Sequence, residues 1–211
     1  MLNTSILVKG LKAVIPGDIS IQDFCVVAET DKIMARKVLE SFTKNDIGRL
    51  ENDMISFDSS DRLKAAIFAL KNGATIDEVA THLDWRDFEG LVAKILETKG
   101  FSVIKNLMLS KPRMEIDVVG VRLGIAVLID CKHWKRQSPS TLKNTVSKQI
   151  KRVRHYVAKT KGAMAVPVIV TLYQEQLSFI EKVPIVPILQ FSSFVDELYG
   201  NLDQVNTIEP L

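Results

Sequence analysis

The stretch EIDVVGVRLGIAVLIDCKHWK, residues 115–135, decides the fold of this chain. It holds two runs of β-branched and other apolar residues joined by the turn signal Leu-Gly at 123–124, so it predicts two antiparallel neighbouring strands. The first strand contains Glu115 and Asp117, and the second ends in the tripeptide DCK at 130–132. Charges in apolar strands need a partner or a chemical task, so this stretch also marks a candidate site.

Strand geometry sorts these charges. Side chains alternate across a strand, so Asp130 and Lys132 are predicted on one face and Cys131 in the core, where it is no nucleophile. The short turn brings Asp117 toward the same end of the sheet. Two carboxylates at that spacing repel unless a cation lies between them, which suits Mg²⁺, with Mn²⁺ as a substitute. Lys132 is then placed to orient or deprotonate a water, or to neutralise charge on a reacting phosphate.

The distribution of charge indicates a polyanionic ligand. Residues 1–84 carry 10 basic and 13 acidic residues, net −3, and the remainder carries 18 and 12, net +6. No acidic residue lies between Asp130 and Glu175. A basic window beside an acidic site favours DNA, although a solvated basic helix is the alternative. The candidate phosphate contacts in this window are Lys135, Arg136, Lys148, Lys151, Arg152 and Arg154.

Residues 1–84 are predicted to form a mainly α, winged-helix or helix-turn-helix-like domain. Residues 20–29 and 30–44 have helical patterns, and residues 47–57 alternate around Asn-Asp as a hairpin would. A second helix pair follows, whose second helix at 75–83 carries acids and no Lys or Arg. The better DNA-reading candidate is therefore the 30–44 helix with Lys32, Arg36 and Lys37, but protein contact or dimerisation remains an alternative.

Residues 85–211 are predicted to form an α/β domain, a mixed β-sheet flanked by helices. The order of elements is α-β-β-β-α-β-α-β-α, which favours a sheet with helices on both faces. Near the end, residues 174–182 are predicted as a short helix, residues 183–191 as a strand, and residues 192–200 as a helix capped by Ser192 or Ser193. No repeats or low-complexity tracts interrupt the chain.

The bulk composition excludes several classes of protein. With 46% hydrophobic and 25% charged residues, the chain is predicted to be globular, not disordered. Its longest apolar runs are far below the roughly 18 residues of a membrane span, so no membrane partner is expected. Two cysteines give neither a disulfide framework nor metal-ligand spacing, which favours a reducing, cytoplasmic compartment.

The spacing of these residues resembles the PD-(D/E)xK nuclease superfamily, especially its Mrr-like restriction endonuclease branch and the related archaeal Holliday-junction resolvases. The matching motifs are FEGLVAKILETKGF, EIDVVG and LIDCKHW, within residues 85–200. The resemblance implies that Glu89 assists the metal from a helix, that Asp117 and Asp130 are metal ligands, and that Lys132 is the catalytic lysine. It further implies that Gln149 has a role near the site. Tyr156 is one further match to the family.

We therefore expect a Mg²⁺-dependent DNA endonuclease of restriction or repair type, with catalytic residues Glu89, Asp117, Asp130, Lys132 and Gln149. An N-terminal winged helix also looks Mrr-like, whereas resolvases of this type usually lack an added module. The alternatives are a resolvase of Holliday junctions or branched DNA, and a non-catalytic DNA-binding regulator on a nuclease fold. A homodimer is expected if the product is a double-strand break, which needs two active sites.

Overall fold

The computed structural model describes residues 3–132, 138–171 and 176–210, with Ile76, Ala80 and Trp85 described by their backbone alone. The chain divides into two compact units, Met1–Asp87 and Phe88–Leu211. Lys135 and Arg136, predicted as phosphate contacts, lie outside the described residues.

The first unit combines five helices with a small antiparallel sheet, counted over the described residues. Its strands lie in the order β1-β3-β2, with Ile19 and Leu50 both opposite Ile55. The elements in chain order are α1 Thr4–Gly10, β1 Gly17–Ser20, α2 Ile21–Ala28, α3 Lys32–Thr43, β2 Arg49–Glu51, β3 Met54–Phe57, α4 Asp61–Lys71 and α5 Ile76–Ala80.

Capping side chains set the helix starts in this unit. Ser20 accepts from the backbone N–H of Asp23 at the start of α2, and Asp31 does the same at the start of α3. Thr75 and Glu78 form a capping box at α5. The helices and the hairpin predicted between residues 20 and 57 are therefore present, together with strand β1, which the sequence pattern did not indicate.

The second unit is built on a six-stranded mixed sheet of order β4-β5-β6-β7-β9-β8. Strands β4, β5 and β6 are antiparallel, β6, β7 and β9 are parallel, and β8 returns antiparallel to β9. This confirms the predicted α/β class. Its elements are α6 Trp85–Thr98, β4 Ser102–Leu109, β5 Met114–Arg122, β6 Ile125–Lys132, α7 Pro139–Lys159, β7 Met164–Thr171, β8 Ser178–Ile180, β9 Val183–Pro187 and α8 Ile188–Glu197.

Helices cover both faces of this sheet. The face that carries Ala126 and Leu128 of β6 packs against Val153 and Val157 of α7. On β5, an added Cβ at Gly120 would meet Leu96 of α6, so a glycine allows that helix to lie close. Strands β6 and β7 are buried along nearly their whole length, as central strands of a covered sheet should be.

The predicted hairpin at residues 115–135 is present. Strands β5 and β6 are joined by Leu123 and Gly124, which both have positive φ, at 50° and 78°. Two successive left-handed residues match the right-handed twist of the flanking strands. The turn fixes the register of β5 against β6, and with it the positions of the acids.

Three predictions near the end of the chain were wrong. Part of the expected 174–182 helix is strand β8, which pairs with β9 across Glu181 and Lys182, both with positive φ. Residues 172–175 are outside the described part. The expected 183–191 strand ends at Pro187, where α8 begins without a serine cap. Short apolar runs fit the period of a helix as well as that of a strand. Here the pairing of β8 with β9 at the sheet edge decided that residues 178–180 form a strand.

Among the helices that the structure describes, none is both long and apolar enough to cross a membrane. Cys25 and Cys131 are both free thiols.

Candidate active site

Strands β5 and β6 bring two of the predicted carboxylates to one end of the sheet. Their ladder runs from Arg122–Ile125 to Val118–Ile129, and the next positions along it are Asp117 and Asp130. The Oδ2 atom of Asp117 accepts a hydrogen bond of 2.7 Å from the backbone N–H of Cys131. Burial and the charge of Asp130 raise the pKa of Asp117, so the two acids repel each other in this arrangement.

An interruption on the other side of β5 sets Asp117 apart from the strand pairing. Lys105 pairs with Val118 and Leu107 with Ile116, but the positions between them, Asn106 and Asp117, are not paired. Asn106 has a φ of 52°, a left-handed backbone conformation within β4. Irregular positions of this kind re-aim a side chain next to a site.

Asp130 is 2% exposed, and its carboxylate forms ion pairs with two cationic side chains. Its Oδ1 atom accepts from Nζ of Lys132 at 2.8 Å and from the Arg152 guanidinium at 3.0 Å. Its Oδ2 atom is also buried, and within residues 3–132, 138–171 and 176–210 it has no hydrogen-bond partner. A buried carboxylate oxygen without a partner is costly, so this atom is a candidate ligand position.

Glu89 of α6 lies within electrostatic range of these acids. It is 8% exposed, and burial together with the charges of Asp117 and Glu115 raises its pKa to about 7. Lys132 and Lys105 act in the opposite direction. The structure therefore brings together four of the residues proposed from the sequence, namely Glu89, Asp117, Asp130 and Lys132.

Helix α7 supplies the support beneath the acids. Gln149 is fully buried, and its Nε2 donates to the backbone oxygen of Leu128 at 2.8 Å. Its Oε1 accepts from Arg152 at 3.3 Å, and Arg152 in turn bonds to Asp130. Arg152 was predicted as a phosphate contact, but its charge is directed at Asp130. The signal for this was its place three residues after Gln149, which lies on the buried stripe of α7.

The other predicted cations fall into two groups. Lys148, Lys151 and Arg154 are exposed on α7. In the first unit, Lys37 is exposed, while Lys32 and Arg36 both pair with Asp53 in the β2–β3 turn. The hairpin acid therefore reduces the free positive charge of α3, an effect that the residue order of the helix alone does not reveal.

Comparison with known proteins places this geometry in a family. The family model Mrr_cat, described as a restriction endonuclease, matches residues 80–174. An uncharacterised protein of Archaeoglobus fulgidus is 34% identical over 119 residues, which cover 54% of this chain and 92% of that protein. The chain belongs to the Mrr-type restriction endonuclease family. This membership supports a nuclease type of function, and a nuclease domain implies DNA as the substrate.

Two solved structures are also similar to the Mrr-type chain. The protein of unknown function AF1548 is 22% identical, with a TM-score of 0.34 and coverage of 51% of this chain and 52% of that one. The protein VC1899 from Vibrio cholerae is 15% identical, with a TM-score of 0.42 and coverage of 95% and 50%. The chain thus spans about half the length of each of these structures.

Restriction endonucleases of this kind usually use a divalent metal, and the donor atoms of the Mrr-type site fit one. No three His, Cys, Asp or Glu side chains among the described residues are close enough to hold a metal by themselves. Mg²⁺, however, commonly takes one or two carboxylates and completes its shell with waters and phosphate oxygens. The unpartnered Oδ2 of Asp130 and the mutual repulsion of Asp117 and Glu89 suit such a cation.

Cys131 does not add a thiolate to this set. It lies between Asp130 and Lys132 and so projects to the opposite face of β6, as predicted. The residue is partly exposed, less buried than a core position. Burial of its thiol, with the charge of Asp117, raises its pKa well above the usual value, so the sulfur stays protonated at neutral pH.

Proposed function

We propose that this protein is a Mg²⁺-dependent DNA endonuclease of restriction or repair type, which hydrolyses phosphodiester bonds. The observation that carries the proposal is the buried, unpartnered Oδ2 atom of Asp130, beside Asp117 and next to Lys132. An anionic pair with an unused oxygen and an adjacent ammonium is the arrangement that a metal-assisted attack on phosphate requires.

The proposed metal ligands are Asp117 and Asp130, with Glu89 of α6 assisting the metal and with waters and phosphate oxygens completing its shell. The cation, when bound, polarises the scissile phosphate and lowers the pKa of a bound water. Mn²⁺ is expected to substitute for Mg²⁺, since both prefer carboxylate and water oxygens.

Each proposed catalytic residue has a distinct task. Asp117 is oriented by the N–H of Cys131, and Asp130 by Arg152, so both carboxylates are held in place before substrate binds. Lys132 brings a positive charge to the end of β6, where it can neutralise charge that develops on the phosphate. Gln149 fixes α7 against β6 through its hydrogen bond to the backbone oxygen of Leu128. It also accepts from Arg152 and so orients that side chain toward Asp130.

DNA binding is assigned to the exposed cations of α7. Lys148, Lys151 and Arg154 face solvent, while Val146, Ile150 and Val153 of the same helix are buried. This separation leaves the charged side of the helix available to backbone phosphates.

We further propose that residues 1–84 form a winged-helix-like domain ahead of the catalytic domain at 85–211. The element order α1-β1-α2-α3-β2-β3 and the three-stranded sheet support this. Helix α3 is the candidate DNA-reading element through Lys32, Arg36 and Lys37, and a protein-binding role is its alternative because Asp53 pairs with the first two.

The test is cleavage of linear, supercoiled, methylated, branched and flapped DNA, side by side, with Mg²⁺ or with EDTA. Wild type should cut at least one of these with Mg²⁺ only, and Asp130→Asn and Lys132→Met should abolish cutting. Both variants should keep wild-type circular dichroism and bind DNA in Ca²⁺. Lys94→Met is the matched control, since Lys94 is exposed on α6 and pairs with Glu97.

The outcomes separate the candidate functions. Preferential cutting of four-way or branched DNA assigns the protein to junction resolution. Binding without cutting of any substrate by wild type refutes the enzyme and leaves a DNA-binding regulator. Sedimentation of the protein with its DNA checks whether double-strand cutting comes with a homodimer.

A further inference from the structure

A second buried polar atom near the proposed site has no partner. Besides Oδ2 of Asp130, the only such side-chain atom in the described part of the chain is Oγ1 of Thr171, a residue that is 3% exposed. Buried hydroxyls are nearly always bonded, so an unbonded one in a native structure calls for an explanation. Neither the sequence motifs nor the family match gives Thr171 a role.

The register of the sheet places Thr171 beside the proposed catalytic residues. Thr171 ends β7, and its partner across the parallel β6–β7 ladder is Lys132, with Asp130 opposite Ile169. Ile169 is buried together with Val146 and Ile150 of α7. Because side chains two residues apart share a face, Thr171 lies on the α7 side of the sheet, as Asp130 and Lys132 do.

The hydrogen-bonding capacities of the three groups are complementary. A lysine ammonium only donates, an ionised carboxylate only accepts, and a threonine hydroxyl does both. In the structure, Lys132 donates to Oδ1 of Asp130. A bound cation would compete for Asp130 and a bound phosphate for Lys132, and both would weaken that bond. A second acceptor on the neighbouring strand would then keep the ammonium directed at the site, and strands about 5 Å apart are within a lysine's reach.

We propose that Thr171 is a positioning residue of the nuclease site, whose hydroxyl accepts from Lys132 in the reacting complex. The inference rests on the proposed nuclease function. It explains why a buried hydroxyl without a partner lies at the register position of Lys132 and on the same face of the sheet. Thr171 acts through Lys132, so its loss should slow the chemical step without weakening DNA binding.

The test compares Thr171→Val, which removes the hydroxyl at constant shape, with Thr171→Ser, which keeps it. Single-turnover cleavage should fall about 10- to 100-fold in the valine variant, the usual effect of losing an outer partner of a metal site. The serine variant should recover most of the rate. DNA affinity in Ca²⁺ should stay within about twofold, as expected when an interaction is made only in the transition state.

Thermal unfolding in EDTA provides a readout independent of activity. A hydroxyl with no partner in the free protein contributes nothing to its stability, so the melting temperature of Thr171→Val should be unchanged or higher. Thr98→Val is the control, because Thr98 is exposed and lies nine residues, or about 13 Å, along α6 from Glu89. That control should cleave at the wild-type rate.

Two results would overturn the inference. One is a Thr171→Val enzyme that cuts as fast as wild type. The other is a valine variant that melts several degrees lower while Thr171→Ser is equally slow, since that pattern belongs to a packing residue. If wild type itself cuts no DNA, the proposed function fails first and this inference fails with it, whereas active wild type with unaffected variants rejects only the role of Thr171.

Discussion

Substitution of Glu89 by glutamine should stabilise the protein at alkaline pH and abolish the proposed DNA cleavage. Burial and the charges of Asp117 and Glu115 raise the pKa of Glu89 from 4.5 to about 7. A carboxyl whose pKa rises on folding binds its proton more tightly in the folded state. The stability of wild type therefore decreases as the pH rises from 4.5 to 7, and this loss persists above pH 7. Glutamine is neutral at every pH and avoids the loss.

The size of the effect follows from the rise in the pKa of Glu89 from 4.5 to about 7, at about 1.4 kcal/mol for a tenfold change in proton affinity. Glu89→Gln should raise the free energy of unfolding by about 3 kcal/mol at pH 8 but only by about 1 kcal/mol at pH 5, where the unfolded carboxyl is itself partly protonated. Urea unfolding in EDTA at the two pH values, with equal m-values, measures this difference. EDTA is needed because a bound cation would stabilise wild type selectively.

The matched control is Glu97→Gln, which removes an exposed glutamate from the same helix and should change stability by no more than about 0.5 kcal/mol. A Glu89→Gln protein that is no more stable than wild type at pH 8, or whose advantage is the same at pH 5, would refute the reasoning. In that case the charges of the other acids would not act on Glu89, and Glu89 would not belong to the proposed metal site.

Three further predictions concern helices α7 and α3. Lys148→Ala with Lys151→Ala should weaken DNA binding in Ca²⁺ and reduce the slope of log affinity against log salt by about 2, as measured by fluorescence anisotropy. Asp53→Asn should strengthen DNA binding by freeing the two α3 cations that it holds; unchanged affinity would assign α3 to protein contact. Gln149→Met should lower the free energy of unfolding by about 1–3 kcal/mol in urea titrations, because the backbone oxygen of Leu128 then lacks its donor.

The central hairpin of the second unit could be predicted because its local signals agree. The apolar residues alternate along both strands, and a two-residue turn joins the strands. The charged residues of each strand lie two positions apart and so share a face. All three signals specify the same register. The positions of Asp117, Asp130 and Lys132 followed from that register. Glu89 did not: it lies in α6, 28 residues before Asp117 and 41 before Asp130, and only the resemblance to a family suggested its role.

What the sequence could not provide was the pairing of side chains across elements. Arg152 reads as one more cation of a basic helix until the fold places Asp130 beside it. Lys32 and Arg36 likewise read as free until the hairpin brings Asp53 to them. Thr171 gives no signal at all, because an apolar strand that ends in threonine is ordinary. Its position matters only through its register partner, Lys132.

The most direct test of the central claim is the rate at which supercoiled DNA is nicked or linearised by wild type and by Asp117→Asn. Asparagine has nearly the same shape and can still accept from the N–H of Cys131, so the fold should be kept. The account predicts Mg²⁺-dependent cutting by wild type and none above background by the variant, with a melting temperature in EDTA no lower than that of wild type, since asparagine removes a charge that burial and Asp130 disfavour. Equal cutting by the two proteins would contradict it.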